Sequence, residues 1–437
     1  MRNRMPHRSE KRRKSAKMPP PLPPPPAPVT PPPRAGDDLR DAKLETELVN
    51  VEVPKEQRTC PACSNAKLRK VGAGKTSTVY EFVPGHFRKL VYCRETLSCS
   101  CGDYIITAPA PPRVGEKTQY SPSFVAHVVT AKCADNRAQY NLAKEYQRVG
   151  IPMSRSTLNS LFHRAASELS PLVARLFARI RETEVVQADE TSIKVQTSTK
   201  RAYIWTFVTR GLIGYRFAVD RSGGTPSAVL GDSNGYLVCD AYTGYNKLLS
   251  TGNRLRGGCL AHARRKIFDA NELPETSDAL DVIGEIYAIE REASNAGVVG
   301  TPEHAALRTK ARTPFAKLLL WARARRREHG PKSLLGRASR YIVNNFRELG
   351  LFLRAASVPV DNNAAESSLR RVALGRKNFL FVGNAEAGER LAGLYSLVAS
   401  CEANGKNPVA YLTDVLLRIA APRQNIDDLL PDRWTPS

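Results

Sequence analysis

Val185-Val186-Gln187-Ala188-Asp189 is an apolar, β-branched run that closes on a carboxylate, and Gly235-Tyr236-Leu237-Val238-Cys239-Asp240 repeats that pattern further along. Short runs of this kind bounded by turn residues read as buried strands. A third acid, Glu366, sits in Asp361-Asn362-Asn363-Ala364-Ala365-Glu366, which opens a basic helix. Two carboxylates at strand ends and a third arriving on a helix suit a site for two hard divalent cations.

The segments around these acids fix an element order. Residues 184–195, 202–209 and 215–220 are β-rich with short connections, and Gly211 and Gly214 mark the second turn. A short helix is expected at 225–230, a buried strand at 236–239, and another short helix at 245–249. A short strand is expected at 258–260, leading into His262-Ala263-Arg264-Arg265-Lys266. Three strands, helix, strand, helix, strand, helix is the order of the ribonuclease-H-like fold, a mixed sheet with helices on both faces. In that order Asp189 lies on the first strand and Asp240 at the end of the fourth, neighbours at the sheet centre.

Residues 272–357 turn wholly helical and basic, most of all at Trp321-Ala322-Arg323-Ala324-Arg325-Arg326-Arg327, which predicts an all-helical insertion. The next helix starts after Pro359 with Asp361 or Asn362 as its cap. It buries Ala365, Leu369 and Val372 and places Asn362, Glu366 and Arg370 on another face. Two helices, 387–403 and 408–419, follow. The catalytic domain is thus expected in two parts, 181–271 and 358–437, around the insertion.

The chemistry follows from charge. Magnesium takes oxygen ligands and usually one or two protein carboxylates, leaving places for water and phosphate. A pair of such ions about 4 Å apart can activate the attacking oxygen and stabilise the leaving one at phosphorus. Asp189 is expected to bridge two Mg2+ (or Mn2+) ions while Asp240 and Glu366 each hold one. Arg370, Arg371, Arg376 and Lys377 would then face DNA phosphates. Any one of these acids alone could be a cap or a surface ion-pair partner; their joint placement carries the weight. Asp361 is the rival third ligand, placed second because of its capping position.

The 437 residues exceed one ordinary core, so several domains are expected. With 66 Lys and Arg against 42 Asp and Glu, the net charge of +24 favours a polyanionic partner. No apolar stretch approaches the roughly 20 residues that cross a bilayer. The basic N-terminus runs into proline instead of an apolar signal core. No membrane partner and a cytoplasmic location are therefore expected.

Residues 1–57 form a basic arm and a proline tract that cannot build a core. Residues 58–112 carry Cys60-Pro61-Ala62-Cys63 and Cys99-Ser100-Cys101, two close pairs that suit one structural zinc ion. Cys93 or His86 could replace one ligand, and a redox pair or plain buried thiols remain alternatives. Residues 113–180 read as helical. A short helix at 141–148, a break at Gly150 and a second helix capped by Ser154 match a helix-turn-helix, with Arg155, Ser156 and Asn159 facing DNA. An ordinary helical hairpin gives the same pattern.

Ala188-Asp189-Glu190-Thr191, the segment 258–266, the stretch from Asp361 through Arg376-Lys377-Asn378, and Ala410-Tyr411-Leu412-Thr413-Asp414-Val415-Leu416 closely resemble the transposases of the insertion-sequence-sixty-six family. The resemblance covers roughly residues 58–433. It implies a zinc-binding unit, a DNA-binding helical region and a DDE catalytic domain with Asp189, Asp240 and Glu366 in the three acidic places. It implies an enzyme that cuts the ends of a mobile element and joins the freed 3′-hydroxyls to target DNA. His262, Arg264 and Arg265 join the expected DNA contacts. A homodimer and accessory proteins of the same element are the further partners it suggests. Departures are the C-x-C second pair, the proline-rich arm, and Ser367-Ser368 after the glutamate. A nuclease of the same fold and a catalytically idle DNA-binding regulator are the alternatives.

Overall fold

The computed structural model describes residues 87–98, 105–108, 114, 118–251, 253–270, 273–419, 421 and 424–436. By compactness the chain divides into residues 1–85 and 86–437, and all described residues belong to the second unit. The arm, the proline tract, Cys60, Cys63, His86, Cys99 and Cys101 lie outside the described residues.

Strands β1 (Thr96–Ser98) and β2 (Ile105–Thr107) pair antiparallel, with the Thr96 and Thr107 hydroxyls 2.9 Å apart. Helix α1 (Pro122–Cys133) is capped by Ser121 Oγ, which accepts from the Phe124 N–H. Helices α2 (Gln139–Arg148) and α3 (Arg155–Glu168) follow, joined by a turn that uses Gly150 at φ +80°. Ser154 Oγ caps α3 by accepting from the Thr157 N–H at 3.0 Å. Leu142 and Tyr146 of α2 share a small core with Leu158 of α3 and with Val128 and Ala131 of α1. Helix α4 (Ser170–Glu182) leads into the sheet.

Five strands form that sheet: β3 (Val185–Ile193), β4 (Ala202–Val208), β5 (Ile213–Ala218), β6 (Gly235–Val238) and β7 (Arg254–Gly257). Their spatial order is β5-β4-β3-β6-β7. The β3–β4 and β4–β5 pairs are antiparallel, while β3–β6 and β6–β7 are parallel. Helix α5 (Gly224–Leu230) links β5 to β6, and α6 (Asn246–Thr251) links β6 to β7. Trp205, wholly buried on β4, meets the Tyr245 ring edge-on at 5.5 Å.

One expectation is corrected. Residues 258–260 are not a strand: the strand is β7, four residues earlier in start, and Cys259 is the N-cap of α7 (Leu260–Phe268). The reason is Arg254, a charged residue that is only 2% exposed. Its guanidinium donates to the carbonyls of Arg181, Thr183, Glu184 and Tyr236 and to Ser233 Oγ, so β7 buries a cation that hydropathy reads as surface.

After α7 come α8 (Thr276–Asn295), α9 (Pro302–Arg308), α10 (Arg312–Glu328), α11 (Leu334–Asn344) and α12 (Phe346–Leu349). They enclose a second core that includes Leu260, Ile283, Ile286, Phe315, Leu318, Ile342 and Phe352. Buried Arg308 pairs with the Glu290 carboxylate at 2.7 Å and donates to the carbonyls of Phe352, Ala355 and Val358. That clamp fixes the segment leading into α13 (Asn363–Phe379). Helices α14 (Ala385–Ala403) and α15 (Pro408–Arg418) complete the fold. Helix α14 shields the edge strand: Ser400 and Ser396 Oγ accept from the Ile213 and Tyr215 N–H groups at 2.8 and 2.7 Å.

Among the described residues no helix is long and apolar enough to cross a membrane.

Gly235 opens β6 at φ +118°, and a Cβ there would lie 2.1 Å from the Glu184 carbonyl oxygen. Gly235→Ala is therefore expected to lower the unfolding free energy by at least about 1–3 kcal/mol from backbone strain alone. Urea unfolding checks this; an unchanged midpoint would show that the strand start tolerates a side chain.

Candidate active site

Asp189 lies just beyond the last rung that β3 shares with β6. Gln187 pairs with Val238 in the parallel β3–β6 ladder, so Asp189 and Asp240 stand two residues beyond the same rung. The Asp240 charge acts on Asp189 across that gap. Thr206 pairs with Asp189 on the other side, and its hydroxyl lies 2.9 Å from that of Ser368 on α13. The face that carries Asp189 is thus the face that α13 covers.

The start of α13 is stapled to that strand. Asn362, fully buried, donates its side-chain N–H to the Ala188 carbonyl at 2.9 Å, one residue before Asp189. Its backbone N–H donates to Cys259 Sγ at 3.3 Å. Glu366 then lies on the first turn. Its Oε1 is 3.4 Å from His262 Nδ1 and its Oε2 is 3.2 Å from Arg265 Nη2.

Electrostatics link the three acids. The Asp189 carboxyl is pushed up to about 7, chiefly by burial; the hydrogen bond from the Glu190 N–H opposes the rise, and the charges of Glu190, Asp240 and Glu366 add to it. Asp240 Oδ1 accepts from the Tyr242 N–H at 2.9 Å, and the Arg256 guanidinium donates to the Asp240 carbonyl. Asp361 is engaged elsewhere: it accepts from the Tyr287 hydroxyl at 2.8 Å and from the Asn363 backbone and side-chain N–H groups. The helix start is thus held by Asp361, while Asn362 makes no side-chain cap bond.

The basic residues divide into two groups. Arg155, Ser156 and Asn159 on the first turns of α3 are exposed, as are Arg264 and Arg265 on α7 and Arg370 and Lys377 on α13; His262 is half-buried. Arg371 and Arg376 serve the fold. Arg371 donates to the Cys133 carbonyl and pairs with Glu402, while Arg376 donates to Thr191 Oγ1 at 3.0 Å and the Ser192 carbonyl at 2.7 Å.

Glu190 is a further buried acid outside the expected set. Its side chain is 1% exposed and faces away from α13, where Arg221 Nε reaches Oε1 at 2.8 Å and the Tyr245 hydroxyl donates to Oε2 at 2.8 Å. Adjacency to Asp189 in a period-two strand was the available signal, since it puts the two acids on opposite faces.

Residues 117–390 match the transposase IS66 family, 396–431 the IS66 C-terminal element, and 57–102 the zinc-finger binding domain of transposase IS66. The chain belongs to the IS66 transposase family. Among its relatives is the uncharacterized protein y4jD of Sinorhizobium fredii, 32% identical over 88% of this chain and 80% of that protein. The uncharacterized protein y4hP of the same organism is 28% identical over 90% of this chain and 75% of its own length. As an IS66 transposase the chain is a DNA-binding protein with a zinc-finger domain, and its fold is mixed α/β and mostly helical.

Proposed function

We propose that this IS66 transposase is a DDE enzyme with a ribonuclease-H-like catalytic domain, in which Asp189, Asp240 and Glu366 hold divalent cations. The observation that carries the reading is that the charges of Asp240, two residues past the last β3–β6 rung, and of Glu366, brought in by the Asn362 staple, both act on the buried Asp189 carboxyl. The donor set fits hard cations. It offers carboxylate oxygens, and the cost of ionising Asp189, set chiefly by burial and increased by the charges of Glu190, Asp240 and Glu366, is one that a bound cation would relieve. Magnesium or manganese bound there would activate an attacking oxygen and stabilise the leaving one.

The residues of the chain do the rest. Asp189, central on β3, would hold the cations together with Asp240 and Glu366. Exposed Arg264, Arg370 and Lys377 draw the phosphodiester backbone toward the carboxylates, and Arg155, Ser156 and Asn159 read the element end from α3 as part of a helix-turn-helix. The expected domain limits serve these roles: 113–180 binds DNA, 181–271 with 358–437 forms the catalytic domain, and 272–357 is its insertion. In the zinc-finger domain Cys60, Cys63, Cys99 and Cys101 hold one structural zinc. The substrates are double-stranded element ends and target DNA, cut and joined through 3′-hydroxyls by a homodimer in the cytoplasm.

A cleavage and joining assay on element-end DNA with magnesium tests the reading. Joined product supports it, hydrolysis without joining favours a nuclease, and binding without cleavage favours a regulator.

The Asp189 carboxyl gives a pH dependence. Below about 7 it carries a proton that a cation must displace. At limiting magnesium, cleavage is expected to rise about tenfold per pH unit up to near 7 and then level off, and excess magnesium should move the profile to lower pH. The sign for stability is opposite. Folding raises this carboxyl above its ordinary 3.8, so the metal-free fold is favoured below that value and loses the contribution as pH rises to about 7. Thermal melts of metal-free protein against pH, with Asp189→Asn as the flat control, read this directly.

A further inference from the structure

Cys259, His262 and Glu366 bring a sulfur, an imidazole nitrogen and a carboxylate oxygen within 4.8 Å of one another. The fold explains the meeting. Cys259 precedes α7 and His262 stands three residues on, so both share one face of the helix start. Glu366 arrives from the first turn of α13, whose entry is tied to Cys259 by the Asn362 N–H.

Two of the three donors have no hydrogen-bond partner. His262 Nδ1 and Glu366 Oε1 are both enclosed and lie 3.4 Å apart without forming a bond. Arg265 takes Oε2, leaving Oε1 turned toward the imidazole. A separation of 3.4 Å is close to the edge of a tetrahedron, about 3.3 Å, around zinc with nitrogen and oxygen ligands near 2.0 Å.

We propose that Cys259, His262 and Glu366 form a second zinc site, separate from the N-terminal zinc finger, with a fourth position left to water. Thiolate and imidazole select zinc over magnesium, which keeps to oxygen donors. Binding releases the Cys259 proton and forms the zinc–sulfur bond with no change of oxidation state. The consequence for activity rests on the reading of Glu366 as a catalytic ligand: zinc in this site takes Glu366 from the magnesium cluster and switches cleavage off.

The test measures zinc in the full-length protein after equilibration with micromolar zinc and removal of free metal. Wild type is expected to hold about two equivalents, and Cys259→Ser and His262→Asn about one each, retained by the finger. Equal zinc content in all three proteins overturns the site. Should circular dichroism show either variant unfolded, diffraction from wild-type crystals on both sides of the zinc absorption edge decides. A peak among Cys259 Sγ, His262 Nδ1 and Glu366 Oε1 is expected, and its absence overturns the site. Adding the same zinc to wild-type cleavage in magnesium should slow it at least about tenfold, and undiminished cleavage with the second zinc bound overturns the off state. Glu366→Gln assayed in magnesium alone separates the two readings: continued cleavage removes the catalytic role of Glu366, while the zinc counts still decide the site.

Discussion

Asp189→Asn, Asp240→Asn and Glu366→Gln are each expected to slow cleavage of an element end at least ~10³-fold, a barrier increase of about 4 kcal/mol, while DNA affinity is kept. The substitutions are nearly isosteric, so the sheet and the start of α13 should survive. Asp189→Asn also removes the buried carboxyl that burial and its acidic neighbours lift to about 7, so the metal-free protein should become no less stable. Loss of cleavage together with an unchanged or higher melting temperature would separate chemistry from folding. Asp361→Asn is the contrast. Asp361 accepts from Tyr287 and Asn363, so its loss should act through the entry to α13 and produce a smaller defect.

DNA affinity should fall by about 10³ or more between roughly 50 and 200 mM salt if six or more phosphates are contacted. In the proposed reading the net charge of +24 and the exposed Arg264, Arg370 and Lys377 would supply the electrostatic contacts. Arg370→Ala should reduce the salt slope by about one. Arg371→Ala should leave the slope nearly unchanged and lower stability, because Arg371 ties α13 to the Cys133 carbonyl and to Glu402. A flat salt response measured by fluorescence anisotropy would remove the basic faces as the DNA surface.

That contrast shows where the sequence was legible. The element order from 184 to 268 could be read because β3 and β4 are apolar and β-branched and their connections are short. The buried stripe Ala365, Leu369 and Val372 of α13 followed from its spacing. β7 lies ahead of the expected strand because it buries an arginine satisfied by four carbonyls, and no local pattern announces such partners. For the same reason Arg371 and Arg376 looked like DNA contacts. Spacing puts a guanidinium on a helix face, but only the packed fold shows that a carbonyl or a threonine hydroxyl already occupies it. Asp240 and Glu366 sit as expected, just past a strand end and on a first helical turn, whereas Asp189 lies mid-strand in β3 because pairing with β4 carries the strand on to Ile193. Asn362, which ties the start of α13 to β3, looks from local sequence like a cap, since its contact to Ala188 spans 174 positions of chain.

The most direct measurement replaces Asp189, Asp240 and Glu366 singly by cysteine and compares element-end cleavage in magnesium with that in manganese. A thiolate is a poor magnesium ligand and a better manganese one. If these side chains hold the catalytic cations, Asp189→Cys, Asp240→Cys and Glu366→Cys should be inactive in magnesium, and manganese should restore cleavage in at least one of them by about tenfold or more. Wild-type rates in magnesium for all three would contradict the account.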